Sequence, residues 1–390
     1  MKPIATLAET AADLEIVIRG MGTSIPKFRA DNTASARFAD QMSCTTSSQS
    51  RKVAALYRRT GIEHRGSVLL DRNAESEIIN DFYPPLLSPE DRGPTTQHRS
   101  DRYAVEAPQL ATEASREALT NSGVSADAIT HLVTVSCTGF SAPGVDIELI
   151  DRLGLPATTQ RVQVGFMGCH GAINGLRTAA GLVAASPNAN VLMCCVELCS
   201  LHYQYGYDPD RIVSGALFAD GSAAAVLGRG SLKDSDLIDA LDQCDDSETS
   251  IGIVAATGSC LVPASREAMT WRIGDFGYEM TLSAKVPGLI EKHLSSFLEP
   301  WLAAQGETIE SVQGWAVHPG GSRILSASES CLKLDTDALD VSRGVLSDHG
   351  NMSSATMMFI LRRFAEQGRP KPWVMLGFGP GLEIEVALIR

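Results

Sequence analysis

Positive charge is what this sequence holds least of. Its 390 residues carry 33 Lys and Arg against 46 Asp and Glu, a formal net charge of −13 at pH 7. That balance excludes a general nucleic-acid binder, and any anionic ligand has to be met by a local basic patch rather than by the overall field. Long hydrophobic runs are missing too. The longest uncharged stretch, Thr178–Val196, is broken by Ser186-Pro187-Asn188-Ala189-Asn190 and reads as helix, turn and strand, not as a membrane span. The first ten residues lack an apolar core, so no secretory signal is expected. No CxxC pair recurs at zinc spacing. The nine cysteines (Cys44, Cys137, Cys169, Cys194, Cys195, Cys199, Cys244, Cys260 and Cys331) are odd in number, and several lie inside apolar runs. Free thiols in a reducing compartment, the cytoplasm, are expected, with no metal site.

What is there suits a globular chain with a large core: 44% hydrophobic residues, 20% charged, and a mean hydropathy of zero. The length allows two or three average domains, or one large duplicated one. The most telling stretch is 161–185. An apolar run (Val162, Val164, Phe166) meets a Gly168-Cys169-His170-Gly171 turn, after which Ala172, Ile173, Leu176, Ala179, Ala180 and Leu182 recur at helical spacing. Cys169 is thereby expected at a helix N-terminus, where free amides and the helix dipole stabilise an anion. With an imidazolium beside it, such a thiol falls to about 3.5–7.5. Cys169 is therefore a candidate nucleophile, the competing reading being a buried structural cysteine.

Along the chain, Leu14–Ile18 reads as a strand, 45–62 as a helix bearing Arg51, Lys52, Arg58 and Arg59, 84–102 as a surface loop, and 103–121 as an Ala-rich helix. His131–Cys137 and Asn190–Val196 read as buried strands, and 144–153 as a helix. The segment 201–214 is polar and Tyr-rich, 216–227 is a closely packing run of small residues, and 229–250 is acidic. The division is placed there, giving halves 1–235 and 236–390. The second half repeats the first. His131, Cys169 and Val191 mark strand, helix-opening turn and strand at intervals of 169 − 131 = 38 and 191 − 169 = 22. Gly314, Asn351 and Trp373 do the same at 351 − 314 = 37 and 373 − 351 = 22. Two matched intervals in series point to an internal duplication whose halves pack together.

The duplication sets Asn351 where Cys169 stands in the other half, and His318 ends the strand equivalent to the one ending at Cys137. The three are expected to converge between the halves. His318 would serve as base or ion-pair partner of the thiol, and the Asn351 amide would donate to a developing oxyanion. His170 competes for the base role, although neighbours at a strand–helix turn usually point apart. Cys, His and Asn in that order also fit a papain-like protease, but no Trp follows the cysteine.

Gly-Phe-Met-Gly-Cys169-His-Gly-Ala, Trp-Ala-Val-His318-Pro-Gly-Gly, Gly-Asn351-Met-Ser353-Ser, Gly215-Ala-Leu-Phe218-Ala-Asp-Gly and Gly377-Phe-Gly-Pro380-Gly-Leu together resemble the type III polyketide synthases, the chalcone and stilbene synthase-like branch of the thiolase-fold condensing enzymes. The match runs from about residue 14 to the C-terminus. The resemblance implies an α/β, duplicated, five-layered αβαβα fold and a homodimer. It implies an acyl-CoA starter loaded on Cys169, repeated decarboxylative condensation with malonyl-CoA, and cyclisation to a pyrone, resorcinol or related aromatic. His318 and Asn351 would stabilise the thioester carbonyl and the enolate. No carrier protein, metal or organic cofactor is implied. Phe218 matches a gating aromatic, Ser353, Gly377 and Pro380 fall in the substrate-binding signatures, and Lys52, Arg58 and Arg59 fall near the CoA-phosphate residues. The alternative is a ketoacyl-ACP synthase-like enzyme making one condensation. Against the plant pattern, Met280 stands near a second gating Phe, Cys137 replaces a Thr, Ala142 a Met and Glu383 a Thr. Cys137 and Met280 suggest an aliphatic tunnel, as in bacterial alkylpyrone and alkylresorcinol synthases.

Overall fold

Small and β-branched residues in short apolar runs make the strands of this chain, and Ala-rich segments opened by a cap or a glycine make its helices. The computed structural model describes residues 15–230 and 251–390. The lead-in, the expected division at 235/236, Cys244 and the 245–248 acidic cluster lie outside the described residues.

The first half runs β1 (Glu15–Ser24), β2 (Arg29–Asp31), α1 (Asn32–Ser43), α2 (Ser47–Arg59), β3 (His64–Gly66), β4 (Asp71–Arg72), β5 (Ile78–Ile79), α3 (Thr96–Ser122), β6 (His131–Ser136), α4 (Val145–Leu153), β7 (Gln160–Gly165), α5 (Gly171–Ala185), β8 (Asn190–Leu198), α6 (Pro209–Leu217) and β9 (Asp220–Gly230). The second runs β10 (Gly252–Leu261), a hairpin of β11 (Met269–Gly274) and β12 (Gly277–Leu282), α7 (Val286–Ala304), β13 (Gly314–Val317), α8 (Ser322–Leu332), α9 (Asp340–His349), α10 (Ser354–Glu366), β14 (Trp373–Gly379) and β15 (Glu383–Ile389).

Nine strands form one mixed sheet in the order β13-β14-β15-β10-β1-β9-β8-β6-β7. From the seam between β1 and β10 outward, β9 answers β15, β8 answers β14 and β6 answers β13, while β7 has no described counterpart. The seam is narrow, with Val17 opposite Ile253 and Ile18 opposite Gly252. α5 packs on β6, β8 and β9 but also on β10 and β15, and α10 packs on β8 and β9 but also on β13. The two helices touch and lie between the half-sheets. Their residues join the strands' inner faces in one apolar core containing Ile173, Leu176, Met357, Ile360 and Phe364. A second core lies under α3 and α4, and a third under α7 and α8. The expected five layers, helix–sheet–helix–sheet–helix, are what these three cores hold together.

The helices depart from expectation at their starts. α3 begins at Thr96, inside the expected 84–102 loop, because the Thr95 side chain caps it by accepting from the His98 amide. α6 rises from the polar 201–214 segment, with Asp208 accepting from the Asp210 and Arg211 amides and Pro209 in the first turn. Both starts hide in Pro- and Asp-rich sequence that reads as loop.

Candidate active site

The turn before α5 is built by two unusual backbones, Phe166 at φ 57° and Gly168 at φ 70°. A Cβ on Gly168 would also lie 2.8 Å from the Pro380 ring. Glycine is therefore required there, and Pro380 pins the turn. Cys169 follows, buried, just ahead of α5. In the second half Gly350 turns the chain at φ 76°, and a Cβ there would lie 2.9 Å from Ala219. Asn351 donates its amide to Leu217 and accepts from Ala219, each at 2.9 Å, so its backbone is clamped beside Phe218. The Asn351 Oδ1 accepts from the Ser353 amide at 2.8 Å. That fixes the amide so that Nδ2 points at the Cys169 Sγ and donates to it at 4.0 Å. His318 directly follows β13, its amide donating to the Leu376 carbonyl at 2.8 Å. Its ring is buried, and neither nitrogen has a hydrogen-bond partner.

Cys169, His318 and Asn351 line one apolar cavity of about 390 Å³ with Phe218 and Met280. The expected convergence of the three is what the fold produces. The expected low-pKa thiol is not. Burial pushes the Cys169 thiol up to about 12, hydrogen bonds from Ser353 and Asn351 only partly opposing it, and burial pushes the His318 imidazole down to about 3. Desolvation thus disfavours the charged form of each group.

A second cavity of about 380 Å³ opens from Cys169 past Cys137, Ser353, Phe218, Met280 and Pro380, and a third of about 360 Å³ lies beyond Phe218 and Met280. Phe218 and Met280 border all three. Of the expected substrate residues, Gly377 alone lines none of these cavities: a Cβ there would lie 2.7 Å from the His170 Cβ, so this glycine makes room for a side chain, not for substrate. Lys52, Arg58 and Arg59 are exposed on α2 and also line none of the three. Ala142 is exposed on the chain surface rather than in the cavity.

Two residues were missed. Trp271 faces Met280 across the β11–β12 hairpin and borders the second and third cavities. Its indole donates to the Cys137 carbonyl at 2.7 Å, and it meets His202 and Tyr278 edge-on. It fills space that Cys137 and Met280 would otherwise open. The other is Glu197, fully buried at the end of β8. It accepts from the Cys137 amide at 3.0 Å, the Thr138 hydroxyl at 2.8 Å and the Ser354 hydroxyl. Burial pushes its carboxyl up, while these bonds pull it back. A lone charge closing the apolar run Val191–Val196 was the available signal. Among the described residues there is no cluster of three or more metal-ligating side chains, and no helix is long and apolar enough to cross a membrane.

The sequence profile of "Chalcone and stilbene synthases, N-terminal domain" matches residues 6–231, and that of the corresponding C-terminal domain matches 253–390. A 1,3,6,8-tetrahydroxynaphthalene synthase of Streptomyces peucetius subsp. caesius is 36% identical over 286 residues, 72% of either chain. The alpha-pyrone synthesis polyketide synthase-like Pks18 of Mycobacterium tuberculosis is 29% identical over 95% of this chain and 89% of its own. Among solved structures, PKS-I from the brown alga Ectocarpus siliculosus superposes with a TM-score of 0.84 at 29% identity, covering 97% of this chain and 98% of that one. The C-terminal type III polyketide synthase domain of Steely1 from Dictyostelium superposes at 0.81 with 27% identity, covering 96% and 99%.

Proposed function

The chain belongs to the chalcone and stilbene synthase family, and on that footing we propose how its own residues divide the work of a type III polyketide synthase. Enzymes of this kind are acyltransferases that condense malonyl-CoA. Here Cys169 is the acyl acceptor. As its sulfur attacks the starter thioester, the proton passes to His318 and then to the leaving CoA thiolate, so acyl-enzyme and free CoA thiol form together. The oxyanion accepts from Asn351 Nδ2 and from the His318 ring. Malonyl-CoA then places its thioester oxygen on the same two donors. Its carboxylate leaves as CO₂, and the electron pair stays behind as an enolate. The enolate carbon attacks the Cys169 thioester, a C–C bond forms and the C–S bond breaks, leaving the extended chain on CoA; the freed Cys169 thiolate then attacks that thioester, and the CoA thiolate leaves and takes its proton from solvent. Repetition and ring closure give the product. No metal or organic cofactor takes part in these steps.

The observation that carries this reading is the two unpaired His318 nitrogens and the Asn351 Nδ2, which donates only at long range to the Cys169 sulfur, in a single cavity. A buried donor without a partner is costly unless a ligand satisfies it. The test is intact-protein mass spectrometry after mixing with an acyl-CoA starter and malonyl-CoA, without carrier protein. An acyl adduct on the Cys169 peptide, absent from Cys169→Ala, is expected, with polyketides in the supernatant. An adduct on another cysteine would refute it.

The cavity walls are apolar, which favours an aliphatic acyl starter over a polar one. The exposed basic residues Lys52, Arg58 and Arg59 would meet the CoA phosphates. A homodimer is supported by β7, an edge strand without a counterpart among the described residues, with Val162 on it and Met167 just after it each 40% exposed and Phe140 stacked on Phe166 beside it. The eight described cysteines are all free, in keeping with the cytoplasm.

A further inference from the structure

A cavity of about 350 Å³ lies apart from the three already described, and none of Cys169, His318 and Asn351 lines it. Its lining includes Arg65, the middle residue of β3 and only 3% exposed. Two of the three guanidinium nitrogens are engaged. Nε and Nη2 donate to the Ala216 carbonyl at 3.0 and 2.5 Å, and Nη2 also donates to the Thr60 hydroxyl at 3.1 Å. Nη1 is buried and has no hydrogen-bond partner. The charge itself is uncompensated. Cζ lies 5.1 Å from the Tyr57 ring centroid. Burial pulls the guanidinium's pKa down, and what opposes this are the phenols of Tyr57 and Tyr203, with no carboxylate among them. A guanidinium stays protonated in a protein, and a buried charge is costly until something pairs with it.

The other polar groups around the cavity are donors. Tyr57, Tyr203, Ser35 and Asn80 line it, and no Asp or Glu does. The hydroxyls of Tyr57, Tyr203 and Ser35 make no hydrogen bond among the described residues. Burial pushes the Tyr57 phenol up to about 12 and raises that of Tyr203 too, so both keep their protons at neutral pH. The Asn80 Oδ1 accepts from the Phe82 and Tyr83 amides at 3.1 and 3.2 Å, so its unpartnered group is the Nδ2 donor. We propose that this cavity, with Arg65 Nη1 and the Tyr57, Tyr203, Ser35 and Asn80 donors, is a binding site for one small oxyanion, a phosphate or a short carboxylate, separate from the catalytic cavity. Oxyanions accept several hydrogen bonds at once, and their bonds to a guanidinium are among the strong ones. Ser35 on α1 and Asn80 just after β5 are half-buried and mark the way in. The site also stands close behind the catalytic turn. Arg65 holds the Ala216 carbonyl, and the next carbonyl, that of Leu217, takes the Asn351 amide at 2.9 Å. A Cβ on Gly350 would lie 3.5 Å from the Arg65 Cγ.

The test is isothermal titration of the full-length protein with inorganic phosphate and, separately, with malonate, at constant ionic strength. Saturable binding of one anion per chain is expected. A response to phosphate alone assigns a phosphoryl ligand, and a response to malonate alone a carboxylate. The variants are made at Tyr57 and Ser35, because Tyr203 also borders the third catalytic cavity. Tyr57→Phe with Ser35→Ala removes two donors and keeps Arg65 with its hold on Ala216. Binding should weaken about tenfold or more, the effect of losing hydrogen bonds to a charged group. Arg65→Met should abolish it; since Arg65 also supports Ala216, the double variant decides the matter where Arg65→Met does not fold. The exposed Lys52, Arg58 and Arg59 are the rival place for phosphate, and the Cys169 cavity is the rival place for malonate. An affinity unchanged in the folded double variant would put the ion at one of those places and overturn the proposal. So would the absence of saturable binding of either anion to the wild type.

Discussion

The two halves open a buried helix at matching places, and they equip that turn differently. In the first half the turn carries Cys169 on a glycine whose Cβ space Pro380 occupies. In the second it carries Asn351, its backbone clamped to Phe218 and its amide oriented by Ser353. β6 is followed by Cys137, a small thiol lining the cavity beside Cys169, whereas β13 is followed by His318, with both ring nitrogens unpaired. Among the described residues, the first half alone has an edge strand like β7, and the second alone has a hairpin like β11–β12 roofing the cavity. On the roles proposed above, a duplicated scaffold is divided by chemistry, the nucleophile on one side and the oxyanion donors on the other. The site exists only where the halves meet.

The largest effect that tests this division is loss of the first half's contribution. Cys169→Ala should cut polyketide formation by about 10⁴-fold or more, read as product per enzyme by mass spectrometry, since no donor replaces a nucleophile. Next comes the second half. Asn351→Ala should slow malonyl-CoA decarboxylation about 10²–10³-fold while the protein stays folded by circular dichroism. An unchanged rate would return Asn351 to a purely structural place at the start of α10.

Much of this comparison was legible in the sequence, because it is local. The intervals 38 and 22 against 37 and 22 gave the duplication, and Gly168 and Gly350 marked the two turns. What was not legible is what depends on partners far along the chain. Glu197 is met by Cys137, Thr138 and Ser354, about 60 and 157 residues away. Trp271 matters because a hairpin register sets it opposite Met280. The upward push on the Cys169 thiol was not legible because a helix terminus can be read from a turn, whereas full desolvation cannot.

Acidity sharpens the comparison at a smaller scale. His318 is held at about 3, well under its unfolded value of about 6.5, so the unfolded chain binds the proton first and stability falls as pH drops from about 6.5 towards 3. At pH 5 that amounts to about 2 kcal/mol, and His318→Gln should remove this part of the acid loss in urea titrations. Asp220 in the first half works the other way. Burial raises it to about 6, so stability from this group grows as pH falls from about 6 to 3.8. A stability difference between wild type and His318→Gln that ignores pH would contradict the buried neutral imidazole.

The smallest effects concern the roof. Each buried methylene is worth about 0.8 kcal/mol, a factor of about four in affinity. Across saturated acyl-CoA starters kcat/KM should rise with length until Trp271 stops the chain. Trp271→Ala should move that limit to longer starters, and Met280→Phe to shorter ones. A flat series in all three would remove the hairpin from starter selection.

The division of labour itself is tested most directly by following CO₂ released from malonyl-CoA in Cys169→Ala beside Asn351→Ala. If the enolate donors belong to the second half, Cys169→Ala continues to decarboxylate malonyl-CoA while making no polyketide, and Asn351→Ala loses both by about 10²-fold or more. Decarboxylation that vanishes with Cys169 and survives without Asn351 would contradict the account.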